Sequence, residues 1–221
     1  MSILKLEQVS YRYDGSKINV LKNIDIEFER GVLYTIIGKS GAGKSNLLSI
    51  ISGLDTPTEG RIIYNGQDMK NLDRDLYRSQ SIGVIFQGYN LLTNATALDN
   101  IVLAMNISGS KIKNKKEEAL LYLDKVGIRK EQALRKVLKL SGGEQQRIGI
   151  ARALSHQPDV IIADEPTGNL DPETEQNIME ILQKLAHEEN KCVIIVTHSQ
   201  GVSKYADEIY GLNTGYLLSI R

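Results

Sequence analysis

Eight residues, GKSGAGKS from Gly38 to Ser45, constrain this chain more than any others, because an apolar run, VLYTII, precedes them and a helical pattern, NLLSII, follows. A buried strand that turns through glycines directly into a helix brings successive backbone N–H groups onto one point. The helix start adds about half a positive charge there. Lys44 contributes a full charge and Ser45 a hydroxyl suited to magnesium. The loop Gly38, Lys39, Ser40, Gly41, Ala42, Gly43, Lys44, Ser45, with Asn46 after it, is therefore a candidate cradle for nucleotide phosphates.

The other apolar runs extend the argument to the fold. VLYTII, SIGVIF, VIIA and VIIV are apolar on both faces, the pattern of parallel strands covered by helices. In the opening third, Ile24, Ile26 and Phe28 alternate with Asp25, Glu27 and Glu29, which predicts strands with one wet face and an antiparallel piece. From Gln87 to Pro158 the pattern turns helical, with KNKKEEALLYLDKVGI stopped at Gly127. IYGLNTGYLLSI reads as a hairpin about Asn213, Thr214 and Gly215. The prediction is an α/β core with a helical insertion.

Composition removes several alternatives. Twenty-seven basic residues balance 27 acidic ones, so no net field recruits nucleic acid, and a nucleic-acid partner is not expected. The single Cys192 and three scattered histidines assemble neither an internal disulfide nor a zinc site, which suits a reducing compartment. The amino-terminal segment MSILKLEQVS alternates and has no signal-like apolar stretch, and no run reaches membrane-spanning length, so a soluble chain is expected.

Two strand ends carry further chemistry. VIIADE places Asp164 and Glu165 at the carboxyl end of a buried strand, with Asp164 on the magnesium side of a nucleotide and Glu165 directed elsewhere, suited to polarising water. VIIVTHS ends in His198, within reach of a γ-phosphate. In LSGGEQQRIGIARAL, Ser141 is a good helix cap, Gly142 and Gly143 admit close backbone approach, and Glu144 follows. This is a second anion-binding helix start. Since Gly38 to Ser45 already cradle one triphosphate, the second start most economically serves a nucleotide held by another copy, which predicts a head-to-tail dimer.

In this order the segments resemble the nucleotide-binding subunit of ABC transporters, over nearly the whole chain. The resemblance makes GKSGAGKS the Walker A loop, Gln87 in VIFQGYN the Q-loop glutamine, LSGGE the signature, VIIADE the Walker B motif, Gly168 to Asp171 the D-loop and His198 the switch histidine. It makes Tyr13 the aromatic that stacks on adenine, with Tyr11 as the alternative. It implies a P-loop NTPase (RecA-like) α/β fold with a parallel-sheet core, an antiparallel β subdomain and a helical insertion subdomain. One domain spans 1–221, with 1–87 and 159–221 as core and 88–158 as the helical part carrying the signature.

The implied cofactors are ATP and Mg2+, the metal held by Ser45, Gln87 and, through water, Asp164. Glu165 becomes the general base, and His198 with Gln87 senses the γ-phosphate and metal. ATP binding draws two copies together, with Ser141, Gly142, Gly143 and Glu144 acting on the partner's ATP and Asp171 at the interface. ADEPTGNLD and SGGEQQR most resemble the LolD/MacB/FtsE-type group, which includes lipoprotein-release, macrolide-efflux and antimicrobial-peptide exporter ATPases. That implies a separate integral membrane permease with an extracytoplasmic domain and a cytoplasmic chain held at the inner membrane face. An FtsE-like regulator of cell-wall hydrolases is the alternative, and a DNA-repair or translation ATPase ranks last.

Three positions depart from the family pattern: Asn46 stands where threonine is common, Ser199 where aspartate is frequent, and Val137 with Leu138 where proline often occurs. Asn46 retains an amide able to donate to an α-phosphate. Lys111, Lys113, Lys115 and Lys116 read as a solvated helix start, and NKKE lacks the strand and aspartate of a guanine-reading motif. Met105 and nearby leucines read as core or as the edge of a groove for a permease helix.

Overall fold

Two hydrophobic patterns in one chain produce two sheets. The computed structural model describes residues 2–221. In chain order these form β1 (Ser2–Tyr11), β2 (Leu21–Glu29), β3 (Leu33–Ile37), α1 (Lys44–Ile51), β4 (Glu59–Tyr64), β5 (Gln67–Asp68), α2 (Arg74–Leu76), β6 (Ile82–Ile85), α3 (Ala97–Ile107), α4 (Lys115–Lys125), α5 (Lys130–Ala133), α6 (Gly142–Leu154), β7 (Val160–Asp164), α7 (Pro172–His187), β8 (Cys192–Thr197), β9 (Glu208–Asn213) and β10 (Tyr216–Ser219).

The alternating segments make a four-stranded antiparallel sheet in the order β2-β1-β4-β5. On β2, Ile24, Ile26 and Phe28 are buried while Asp25, Glu27 and Glu29 face water. The doubly apolar segments make the second sheet, β10-β9-β3-β8-β7-β6, parallel except where β10 folds back on β9.

Alternate residues of the parallel strands feed opposite layers of core. Leu33, Ile161, Ala163, Val193 and Ile195 pack with residues of α3, α4, α6 and α7. Tyr34, Ile36, Val160, Ile162, Ile194 and Val196 pack with α1 and the antiparallel sheet. Each fully buried Val, Leu or Ile contributes roughly 1.5–3 kcal/mol relative to exposure, so the strands are fixed by their own side chains.

Residues 88–158 carry α3 to α6 between β6 and β7. Local signals start and stop these helices. Thr96 and Asp99 form a reciprocal cap on α3, and Asn114 caps α4. Gly127, at φ 76°, lets its own N–H and that of Ile128 turn back on the Asp124 and Leu123 carbonyls. Thr214 and Gly215 have φ of 47° and 86° in the two-residue turn joining β9 and β10. A Cβ at Gly215 would lie 2.4 Å from the Val20 carbonyl oxygen, so the turn needs glycine there. Among the described residues, no helix is long and apolar enough to cross a membrane.

Candidate functional site

β3, β8 and β7 lie side by side, with Ile37 paired to Thr197 and Asp164 to Val196, so their carboxyl ends are nearly level. Ligands of open parallel sheets gather at such ends. The glycine loop leaves β3 there, Glu165 follows β7, and His198 follows β8.

Within the loop, Gly38 passes so close to β9 that a Cβ would meet the Leu212 carbonyl oxygen at 2.7 Å. Gly43 is the residue before α1, at φ 105°, and no side chain among the described residues caps this helix. The first N–H groups of α1 therefore stay available to an anion. Lys39, Ser40, Gly41 and Ser45 are exposed, and Ala42 is buried beneath them. Lys44 Nζ donates to the carbonyls of Gly38 at 2.7 Å and Lys39 at 3.3 Å, and stands 3.9 Å from Glu165 Oε1.

Glu165 is the most constrained acid of the site. Its φ of 46° places a non-glycine residue in the left-handed region, a strain that persists where surrounding contacts determine it. Thr197 Oγ1 and the His198 N–H donate to Oε2 at 2.8 and 3.2 Å, and His198 Nδ1 lies 2.7 Å from Oε1. An ionised carboxylate only accepts, so Nδ1 carries the proton and Nε2 is left for another partner. His198 is exposed while the Glu165 side chain is only 11% exposed.

Asp164 behaves differently. Burial, then the neighbouring Glu165 charge, raises its pKa above the ordinary carboxylate value, with Lys44 opposing. Two desolvated acids facing one ammonium leave room for further positive charge. Together with the Ser45 hydroxyl this suits magnesium, which takes one or two carboxylates plus phosphate oxygens rather than an all-protein cage.

Tyr13 and Asn46 meet above α1, with Asn46 Nδ2 donating to the Tyr13 hydroxyl at 2.6 Å. Tyr13 is 54% exposed and makes a T-shaped contact with Tyr11 at 5.5 Å between ring centroids. The Asn46 amide thus has a partner within the protein. Gln87 is exposed and sits beside Gly168, whose Cβ would lie 3.0 Å from Gln87 Nε2.

The signature residues form a separate constellation. Ser141 and Glu144 cap α6 reciprocally, and Gln132 Nε2 donates to the same Glu144 carboxylate. Burial opposes ionisation of Glu144, but these donors hold its pKa below the usual range. A Cβ on Gly143 would lie 2.6 Å from Thr174 Cγ2, and one on Gly142 2.9 Å from the Tyr89 hydroxyl. Asp171 caps α7, accepting from Thr174 N–H at 3.0 Å and Thr174 Oγ1 at 2.6 Å; the Thr174 hydroxyl first, then the N–H, holds its pKa low. Tyr89 and Asn90 are both left-handed, at φ 59° and 50°, and Arg152 of α6 donates to the Asn90 carbonyl. Among the described residues, no hydrogen bond or ion pair joins Ser141–Glu144 to the phosphate loop.

Sequence reasoning did not single out Thr197, Thr174 or Tyr89. Thr197 had a signal, since it is the only hydroxyl in the run CVIIVT and directly precedes His198. Of the lysine run, Lys115 begins α4 and bonds Asn106 Oδ1 at 2.7 Å, while Lys111, Lys113 and Lys116 have no ion-pair partner among the described residues. Met105 is wholly buried core.

Comparison with known proteins agrees with this geometry. The sequence model of a family described as ABC transporter matches residues 21–168. The chain is 47% identical over 215 residues to the uncharacterized ABC transporter ATP-binding protein YclH of Bacillus subtilis (strain 168), covering 97% of this chain and 95% of that one. It is 39% identical over 211 residues to the lipoprotein-releasing system ATP-binding protein LolD of Legionella pneumophila (strain Paris), covering 94% and 92%. The ATP-binding cassette MJ0796, solved as a dimer in a post-hydrolysis state bound to ADP and Pi, superposes with a TM-score of 0.87 at 35% identity, covering 99% of both chains.

Proposed function

The chain belongs to the ABC transporter family and has the α/β fold of its ATP-hydrolysing cassettes, and on that premise we propose that it drives a separate membrane permease of exporter or mechanotransmission type. The observation that carries this reading is the division of the site. Phosphate loop, Asp164, Glu165 and His198 stand together, while the helix start at Ser141–Glu144, read from the sequence as a second anion-binding terminus, is not bonded to them among the described residues. A second copy placed head to tail supplies the missing half to each nucleotide.

In this reading the N–H groups from Gly38 to Ser45 and the Lys44 ammonium take the phosphates, and Tyr13 receives the adenine. Ser45, Gln87 and Asp164 are the residues that would hold Mg2+, which neutralises phosphate charge when bound. Glu165 accepts the proton of the attacking water, and its three donors fix the carboxylate for that task. His198 keeps Nε2 free for the γ-phosphate. Asp171 and Gly168 lie on the segment that meets the partner copy.

The permease has a candidate seat between core and helical region. A cavity of about 320 Å³ is lined by residues including Leu54, Arg78, Phe86, Ile107, Arg152 and His156. Leu54 and Ile107 are 60% and 70% exposed on its margins, an apolar surface suited to a short helix. The resemblance of ADEPTGNLD and SGGEQQR to the LolD-type group supports a permease with an extracytoplasmic domain and, with it, a cytoplasmic chain held at the inner face of the cell membrane.

The test is affinity purification of the Glu165→Gln chain with ATP from detergent-solubilised native membranes. A co-purifying integral membrane protein with a large extracytoplasmic domain is the expected result. Recovery of only soluble or ribosomal proteins overturns the reading.

A further inference from the structure

Asn46 directly follows the phosphate-loop serine, yet its amide reaches a residue 33 positions earlier, donating to the Tyr13 hydroxyl at 2.6 Å. Tyr13 lies on the irregular stretch between β1 and β2 and is more than half exposed. Two contacts orient its ring, a T-shaped contact with Tyr11 and the bond from Asn46 to its hydroxyl. An exposed aromatic on such a segment otherwise samples several rotamers, and a ligand that stacks on it must pay that ordering cost on binding. A threonine at position 46 carries its hydroxyl on Cβ, too short a side chain to span the same gap.

We propose that Asn46 is a positioning residue for the base platform. It holds the Tyr13 ring ready to stack before nucleotide arrives, and it ties that ring to the first turn of the phosphate-binding helix. The inference rests on Tyr13 receiving the adenine. The amide is thereby committed to the aromatic hydroxyl instead of to an α-phosphate, so Asn46 acts on the base end of the ligand through Tyr13.

Calorimetric titration of the full chain with ATP and, separately, with inorganic tripolyphosphate tests this. Tyr13→Phe, which keeps the ring and removes the hydroxyl, and Asn46→Ala are each expected to weaken ATP binding about three- to tenfold. The double variant is expected to bind no more weakly than the worse single one, because both remove the same bond. Tripolyphosphate has no base, so its affinity should be equal in all of them. Weaker tripolyphosphate binding in Asn46→Ala would show the amide serving the phosphates and overturn the proposal, as would additive losses toward ATP. Tyr13→Ala separates the two layers. If it leaves ATP affinity unchanged, base stacking on Tyr13 fails and the proposal with it. If it weakens ATP strongly while Tyr13→Phe and Asn46→Ala do not, stacking stands and only the positioning role is lost.

Discussion

His198 Nδ1 lies 2.7 Å from Glu165 Oε1, joining the residue after β8 to the residue after β7 across the ends of two parallel strands. Each side chain fixes the other's orientation. The roles proposed for them, reporting on phosphate through Nε2 and activating water, would therefore not be independent.

Replacing Glu165 by Gln keeps the volume and removes the proposed proton acceptor. Turnover is expected to fall roughly 10²- to 10⁴-fold while ATP binding is retained. His198→Ala removes one of the three donors to the acid and is expected to cost on the order of tenfold or more. In a Glu165→Gln background it should cost little further. Phosphate-release rates beside equilibrium nucleotide binding check this, and fully multiplied losses would mean the two residues act separately.

Gly143→Ala pushes a methyl against Thr174 Cγ2 at 2.6 Å and is expected to destabilise the fold by about 1–3 kcal/mol. Thr174→Ser removes that methyl and keeps the hydroxyl that bonds Asp171. Combining the two should restore the melting temperature. An unchanged melting temperature in Gly143→Ala alone would show that α6 and α7 are not in close contact there.

Asp164→Asn separates stability from chemistry. The raised carboxyl pKa means that the ionised form opposes folding at pH above its folded pKa, and that this penalty vanishes below its ordinary value of 3.8. At neutral pH the nucleotide-free variant is expected to melt higher than the parent, although its ATP hydrolysis falls. Melting below the parent would mean that Lys44 stabilises the carboxylate more than burial costs it.

Arg30 binds Asp159 through both guanidinium nitrogens, and this contact holds the acid below its ordinary pKa of 3.8 despite burial. A depressed acid contributes stability that is present above that ordinary value and is lost as pH falls through the folded pKa. With the two side chains 34% and 36% exposed, solvent screening limits the contribution to about 1 kcal/mol. Asp159→Asn should lower stability at neutral pH and flatten its decline below pH 3.8. Acid-unfolding curves that run parallel for parent and variant would exclude the pair from that transition.

The parallel core was legible because β3, β7 and β8 are apolar on both faces, which only strands covered on both sides require. The placement of Lys44, Asp164, Glu165 and His198 at one end of the sheet was legible for a related reason, since each ends such a strand, directly follows one or closes its glycine loop. The antiparallel partners were less so. Leu6 pairs with Ile62, a contact made across more than fifty residues, and no local pattern carries that register. Thr197 was hidden because its β-branched side chain looks like one more strand residue until Glu165 is placed beside it. Asn46 was read toward the ligand next to it in sequence, whereas its partner lies on a different loop.

Tyr89 over Gly142 and Arg152 on the Asn90 carbonyl fasten the segment after Gln87 to both ends of α6. On the proposed head-to-tail reading, these contacts join the segment that would face a chain's own nucleotide to the helix tip that would face its neighbour's. A tilt of the first would then carry to the second, and a pair of such chains would read its two fuel molecules together.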